Sequence, residues 1–260
     1  MGFNLITMRA GDGNIVKLEC HDMLPSTVTV ARDYAKLGYP DRYVVFSEKR
    51  KKYGSGKIGS GVERGVFMSC ILRPSLFASQ SALISPLSAV SVVTALEEHT
   101  TKKLGLGWIS KIYCNGKIIG DVSIEGKLDS FTAYEYIIIT FSITLDDKDF
   151  PPRLTDLVRQ VFESENVSIP VIIGKHILNN FFTLYPSLKN PSKFMDAYSQ
   201  KFLLRGKKIK CVINGKKQTC KVLQISQTDA SLLVETRNKS TVKISTPKNV
   251  TLPKRLPKNI

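Results

Sequence analysis

At 260 residues, 42% of them hydrophobic, the chain exceeds the usual size of one domain and can bury a full core, so a large domain with a smaller companion is expected. No run approaches the roughly 18 to 20 continuous apolar residues of a membrane span, and "MGFNLITMRAGDGNIVKLEC" lacks a basic stretch followed by an apolar one, so a soluble cytoplasmic protein is expected rather than a membrane or secreted one. The formal charge is +16, and from Arg205 onward 14 Lys and Arg face two acids, Asp229 and Glu235, a field that draws acidic proteins, nucleic acid or anionic ligands without choosing among them and equally fits a solvated face.

In chain order, a strand around Val16 to Cys20 precedes "LPSTVTVARDYAKLG". Here Ser26 or Thr27 caps a helix whose Val30, Tyr34 and Leu37 share a face, and Gly38 ends it. "DRYVVFS" and "GVFMSCILRP" read as buried strands. Between them "EKRKKYGSGKIGSGVER" is glycine-rich and basic without apolar periodicity, which predicts a flexible functional loop. "SPLSAVSVVTALEEHTTKKLG" predicts a buried helix with Ser85 as N-cap and Pro86 at its first position. "GWISKIYCNGKIIGDVSIEGK" is a hairpin about Asn115-Gly116, with Ile118, Val122 and Ile124 alternating after the turn, and "YEYIIITFSITL" is a further central strand.

After Pro151-Pro152, Leu154, Leu157, Val158, Val161 and Phe162 recur at helical spacing. A second helix runs from Ser168 to about Tyr185, with His176 on its inward face as a satisfied core or boundary histidine, and a third covers "PSKFMDAYSQKFLL". Beyond it come short strands and a second Asn-Gly turn at Asn214-Gly215, which predict a small β-barrel over 205–252 after a large domain at 1–204, with a fraying basic tail at 253–260. Five scattered cysteines without a C-x-x-C pair, beside three histidines, argue against a disulfide framework and a zinc site, and no metal ligand is assigned.

The order of these motifs resembles the biotin protein ligases, relatives of the lipoate ligases. "LPSTVTVA" is similar to the family's Ser-Thr-Asn element, "YGSGKIGSG" to its Gly-Arg-Gly-Arg-Arg-Gly-Arg loop, and "SCILRP" to its Ser-x-x-Leu-Arg-Pro strand. "GWISKIYCNGKIIGDVSIEG" is similar to Lys-Trp-Pro-Asn-Asp-Ile-Tyr-x-Asn-Gly-Lys-Lys-Ile-x-Gly, "YIIITFSIT" to Gly-Ile-Gly-Ile-Asn, and "LLRGKKIK" to the Leu-Gly-Lys-x-Val start of a C-terminal barrel. With the ligase-like motifs beginning near the first strand, the likeness is to single-function members rather than those carrying a winged helix.

The resemblance implies an α+β fold, a mixed-sheet ligase-like domain followed by a small SH3-like β-barrel. It implies a two-step reaction: biotin and ATP give biotinyl-adenylate, which acylates a lysine of an acidic carrier domain. It also implies substrate contacts at Ser26, Thr27, Trp108 and Gly120, and a nucleotide-binding loop at Gly54, Gly56, Lys57 and Gly59. Simpler roles stand beside these. Ser26 and Thr27 serve as helix caps, and a lone indole such as Trp108 packs a core.

Several of these positions depart from the family's pattern. Ser55, Ile58 and Ser60 stand at loop arginine positions, Val28 at an amide position, and Lys51 where the family has a biotin-contacting glutamine. Lys111 stands where it holds magnesium with a carboxylate, and Ser142 and Thr144 replace its glycine and asparagine. Ile118 occupies the position of the catalytic lysine. Lys117 is adjacent, but successive strand residues face opposite sides. Biotin and ATP are therefore expected as ligands of an active protein, magnesium binding is disfavoured, and a weakened or lost ligase is expected. Its alternatives are an inactive homologue that binds biotin, a carrier or an acidic partner, and an interaction module for nucleic acid, the last disfavoured by the scarcity of aromatics in the barrel.

Overall fold

The structure, a computed structural model, describes residues 3–54, 57–145, 168–253 and 255–256, with the backbone alone at 52–60 and 79–80. Eight strands, β1 (Asn4–Arg9), β2 (Ile15–Met23), β3 (Tyr43–Gly54), β4 (Lys57–Leu72), β5 (Leu104–Gly107), β6 (Lys111–Cys114), β7 (Lys117–Leu128) and β8 (Tyr134–Thr144), form one sheet in the order β1-β2-β3-β4-β8-β7-β6-β5. Every neighbouring pair is antiparallel except β2 and β3, which are parallel and therefore need a crossover. Helix α1 (Thr27–Lys36) is that crossover, with Ser26 accepting from the Thr29 amide at 3.3 Å and Gly38 leaving the helix at φ +84°.

The strands alternate between two environments. Val44, Phe46, Met68, Cys70, Ile137, Ile139 and Phe141 face α2 (Ile84–Glu97), α3 (Ile169–Leu184) and α4 (Ser192–Lys201) in the main core. Tyr43, Val45, Ile71, Tyr136 and Ile138 point the other way, under α1. Helix α3 lies so close to the sheet that a Cβ on Gly174 would sit 2.8 Å from the Phe46 ring. The buried hydroxyls of α2 are satisfied within the helix, Ser88 donating to the Ile84 carbonyl and Ser91 to that of Leu87. No helix among the described residues is long and apolar enough to cross a membrane.

Two of these elements differ from expectation. The basic glycine-rich segment is not an open loop through its described residues: β3 and β4 continue as a paired hairpin as far as Gly54 opposite Lys57, with irregularities after Ser47 and Lys51. Helix α2 is not capped by Ser85. A 3₁₀ turn at Ala78–Leu83 runs directly into it, so Ile84 is already helical and Pro86 sits within the first turn, where its missing N–H leaves no bond unmade. The helix expected over Leu154 to Phe162 lies outside the described residues.

The C-terminal strands β9 (Lys208–Ile213), β10 (Lys216–Ile225), β11 (Leu232–Glu235), β12 (Thr241–Ile244) and β13 (Val250–Thr251) form a five-stranded antiparallel sheet, β12-β11-β10-β9-β13, that curls into a half-barrel. Both Asn-Gly turns have the positive φ pair of a tight hairpin, +47° and +76° at Asn115-Gly116, +50° and +74° at Asn214-Gly215. The half-barrel docks on the β5-β6-β7 edge of the large sheet, and the main core runs through without a break from Leu106 and Trp108 to Leu204, Ile209 and Val222. The tail does not fray where it is described. The Leu256 amide donates to the Gly116 carbonyl at 2.7 Å, the backbones of Arg255 and Lys117 form an antiparallel β-bridge, and the Leu256 side chain is buried.

One turn of the half-barrel depends on a carboxylate. Burial pushes the Asp229 carboxyl up, but Lys243 at 2.6 Å and hydrogen bonds from Ser226 and Ser231 outweigh this and hold it well below the usual carboxylate range. Its folded value lies below the unfolded value of about 3.9, so its stabilisation is present above about pH 4 and is lost as pH falls further. Asp229→Asn should therefore lower the melting temperature at pH 7 and flatten its decline between pH 5 and pH 3. A decline as steep as that of the unaltered chain would show that other carboxylates govern acid lability.

Candidate functional site

The face of the sheet beneath α1 changes character along its strands. On β8, Tyr136 and Ile138 lie under the helix, but the next positions on that face are Thr140 and Ser142. On β4, Ile71 gives way to Ser69 and Phe67, and on β3, Val45 gives way to Ser47. The pairing register aligns these changes laterally. Ser123, Thr140 and Ser69 form one row across β7, β8 and β4, and Asp121, Ser142, Phe67 and Ser47 form the next. Polar side chains thus take over the sheet face beyond the N-terminus of α1.

A cavity of about 610 Å³ stands over this patch, walled by Leu24 to Val28 on the approach to α1 and by Arg50, Lys51 and Glu63 at the base of the β3–β4 hairpin. Its floor holds a chain of hydroxyls: Thr27 Oγ1 lies 2.9 Å from Ser69 Oγ, which lies 2.9 Å from Thr140 Oγ1. Ser69 is fully buried between the other two. Ser47 fixes the approach to α1, accepting from the Leu24 amide and donating to the Lys49 carbonyl, both at 2.8 Å. The helix is tied down further along by Arg32 paired to Glu125 and by Tyr34 donating to the buried Glu19, which also accepts from Tyr43 at 2.6 Å.

One charged pair lines the cavity and a second lies past its edge on the sheet. Arg50 pairs with Glu63 at 2.8 Å and lies over the Phe67 ring, 4.3 Å from its centre, so its guanidinium is anchored at the wall by an ion pair and an aromatic face. Beyond Ser142 and Asp121, Lys111 on β6 stands directly opposite Asp121 on β7 and is ion-paired with it. Here the structure has a carboxylate, but an ammonium already occupies it, so these residues do not fit a magnesium ion.

Ile118 pairs with Tyr113, which puts it on the sheet face of Lys111, whereas Lys117 pairs with Cys114 on the opposite face. The strand does carry a bulge, but its extra residue is Ile119, after both, so it does not bring Lys117 round.

The positions expected to bind substrate are only partly brought together. Ser26 and Thr27 line the cavity, Ser26 also capping α1 and Thr27 entering the hydroxyl chain. Trp108 is not on the cavity wall: its ring is buried toward the half-barrel, and its indole N–H donates to the Ala230 carbonyl at 2.7 Å. Gly120 is a packing position, where a Cβ would meet the Ser142 carbonyl at 2.3 Å. Gly54 and Lys57 close the described part of the hairpin, Gly59 lies on β4, and Gly56 falls outside the described residues. Ser69, Thr140, Ser123 and Phe67 were missed from sequence. Alternation along β8 signals Thr140, but the lateral rows need pairings between distant residues.

Removing the middle hydroxyl should be costly. Ser69→Ala leaves Thr27 and Thr140 each short of a partner at a buried site, which should lower stability in urea by about 1–3 kcal/mol. A change within error would mean that water or a new rotamer replaces the bond.

No protein-family model matches the chain. The bifunctional ligase/repressor BirA of Bacillus subtilis is 28% identical over 171 residues, 64% of this chain and 52% of that protein. The same protein from Bacillus spizizenii is 26% identical over 170 residues, 63% of this chain and 52% of its own length. The chain therefore spans about half the length of the curated relatives it matches. Among solved structures, the biotin protein ligase from Aquifex aeolicus in complex with biotin and ATP superposes with a TM-score of 0.62 at 17% identity, over 90% of this chain and 97% of that one. This chain has the fold of the biotin protein ligases. A biotin protein ligase-like protein of unknown function from Silicibacter superposes equally well, TM-score 0.62 at 14% identity over 88% of this chain and 94% of that one. The biotin protein ligase fold thus does not by itself fix an activity.

Proposed function

We propose that the chain is a biotin protein ligase homologue whose cavity binds biotin or a closely similar small carboxylic acid, and in which ATP-dependent transfer to a carrier lysine by the family's usual route is weakened or lost. The observation that carries the binding half is the hydroxyl-floored cavity at the N-terminus of α1. Its volume of about 610 Å³ falls within the size of small-molecule sites. Uncharged hydroxyls that both donate and accept suit a neutral polar head group, the Phe67 ring offers apolar contact, and Arg50 and Lys51 suit a carboxylate.

The other half rests on Lys111 and Ile118. Developing negative charge in adenylate formation calls for a metal or an amine placed in advance. Lys111 is committed to Asp121, and Ile118 offers no cation at all. The partner we assign is an acidic carrier domain. A second cavity of about 370 Å³ on the half-barrel is bordered by Lys208, Lys221, Arg237 and Lys239, and no Phe, Tyr or Trp follows Phe202 to stack on nucleic acid bases. Five free cysteines suit the reducing cytoplasm in which such carriers are modified.

The decisive experiment titrates biotin and magnesium-ATP separately by calorimetry, then incubates both with a carrier domain and reads pyrophosphate and carrier mass. Biotin should bind without ATP, and pyrophosphate should stay near background. Rapid carrier biotinylation would overturn the loss of transfer, and absence of biotin binding would overturn the assignment of the cavity.

A further inference from the structure

On the face of the sheet away from the cavity, the last turn of α2 meets the middle of α3. Three side chains that the ligase reading does not use converge there. His99 Nε2 lies 2.8 Å from His176 Nδ1, the two rings are stacked at 4.8 Å and 25°, and Glu98 Oε2 lies 3.3 Å from the same His176 nitrogen. The ligand atoms of all three lie within 4.8 Å of one another. Glu98 is the exposed C-cap of α2, and His99 follows it, its amide still bonded to the Leu96 carbonyl. His176, from 77 residues further on, faces them from α3 and is about one-third exposed.

With neutral imidazoles, His99 and His176 bond each other and leave the half-exposed Glu98 to solvent, 3.3 Å from His176. If His99 donates to His176 Nδ1, the lone pair of that nitrogen is engaged and nothing is left to offer Glu98. If His176 Nδ1–H donates, one hydrogen is shared between an imidazole nitrogen and a carboxylate. Two imidazole nitrogens and a carboxylate oxygen aimed at one another are also a donor set for a cation. The carbonyl end of α2 adds partial negative charge at the same point.

We propose that Glu98, His99 and His176 form a binding site for a borderline divalent cation of the late first row, zinc foremost, that clamps the end of α2 to α3. Imidazole and carboxylate donors suit zinc, whereas magnesium prefers an oxygen shell. Tetrahedral zinc holds nitrogens about 3.3 Å apart, so the rings need to separate by about 0.5 Å, a small motion for half-exposed side chains. Solvent takes the remaining position. The clamp closes the segment that leads into β5 and thus lies outside the biotin cavity, and it stands whether or not the chain binds biotin.

The test titrates zinc alone, then magnesium alone, into the full chain and follows binding by calorimetry and the ring signals of its three histidines by NMR. The expected result is one equivalent of zinc, shifts at His99 and His176 but not at His21, no binding of magnesium, and a melting temperature raised by zinc. His99→Ala and His176→Ala should each weaken zinc binding by more than about 100-fold, since loss even of a group that merely orients a ligand costs 10- to 100-fold. His21→Ala should leave binding unchanged. Undiminished binding in the His99→Ala/His176→Ala double variant, zinc shifts at His21 alone, or no binding to the unaltered chain would each overturn the proposal. Should the double variant fail to fold, the ring signals of the unaltered protein decide.

Discussion

Replacing Ile118 by lysine and Lys111 by aspartate in one chain should raise biotin-dependent pyrophosphate release by about 100-fold over the unaltered protein, the scale on which one preorganised charge contributes to catalysis. The structure gives each change a defined place. Ile118 shares a sheet face with Lys111, so a lysine there projects toward the Lys111–Asp121 row rather than into the helix layer. Lys111→Asp frees Asp121 from its ion pair and sets a second carboxylate opposite it, and two carboxylates in that position disfavour each other until a dication binds between them. The enhancement should therefore depend on magnesium, and either single change should deliver much less. A double variant that binds biotin yet releases no more pyrophosphate would show that the chemistry fails elsewhere, most directly in the glycine-rich segment where Ser55, Ile58 and Ser60 stand at arginine positions.

Trp108→Ala should lower stability by about 3–5 kcal/mol, the usual cost of truncating a buried tryptophan, and this is a large part of the 5–15 kcal/mol that holds a typical domain folded. The indole fills the seam between the large sheet and the half-barrel, and its loss also leaves the Ala230 carbonyl without its donor. Trp108→Phe keeps a smaller ring and removes the N–H, so it should cost less than Trp108→Ala but more than the roughly 1 kcal/mol of the lost bond alone. Urea unfolding followed by circular dichroism measures both, the chain having no other tryptophan to report by fluorescence. Biotin affinity should be unchanged in either variant. A fall in affinity without a fall in stability would return Trp108 to the substrate site.

How far such a site can be read in advance depends on the range of the contacts that build it. Local signals carried through: the Ser26 cap, both Asn-Gly turns and the helix from Ser168 all have the geometry that their residue types require. Sheet alternation in "YEYIIITFSIT" already puts Tyr136, Ile138, Thr140 and Ser142 on one face, where the residue type changes from apolar to hydroxyl. Partners set by pairing across the sheet were hidden. Ser69 meets Thr140 from 71 residues away, and Trp108 meets Ala230 from 122 away. His176 is the hydrogen-bonded boundary histidine that helical periodicity predicts, but periodicity reports one face and is silent about its partners Glu98 and His99, which come to that face through helix packing. The basic glycine-rich segment misled for a different reason: strand pairing can hold residues that carry no apolar pattern, because its bonds are made by the backbone.

The docking of Pro253 and Leu256 on the β6–β7 hairpin has a consequence in time. Gly116 is bonded by Leu256, Tyr113 by the Pro253 carbonyl and Trp108 by Ala230, so the strand edge that presents Lys111 and Ile118 is completed by segments synthesised more than 100 residues later. While the chain is still on the ribosome, the cavity side of the sheet can assemble, but the hairpin beside it lacks its cover and exposes the indole. The order of synthesis therefore leaves the β6–β7 edge to mature after the cavity side of the sheet, and it should be more exposed to proteases in nascent or truncated chains.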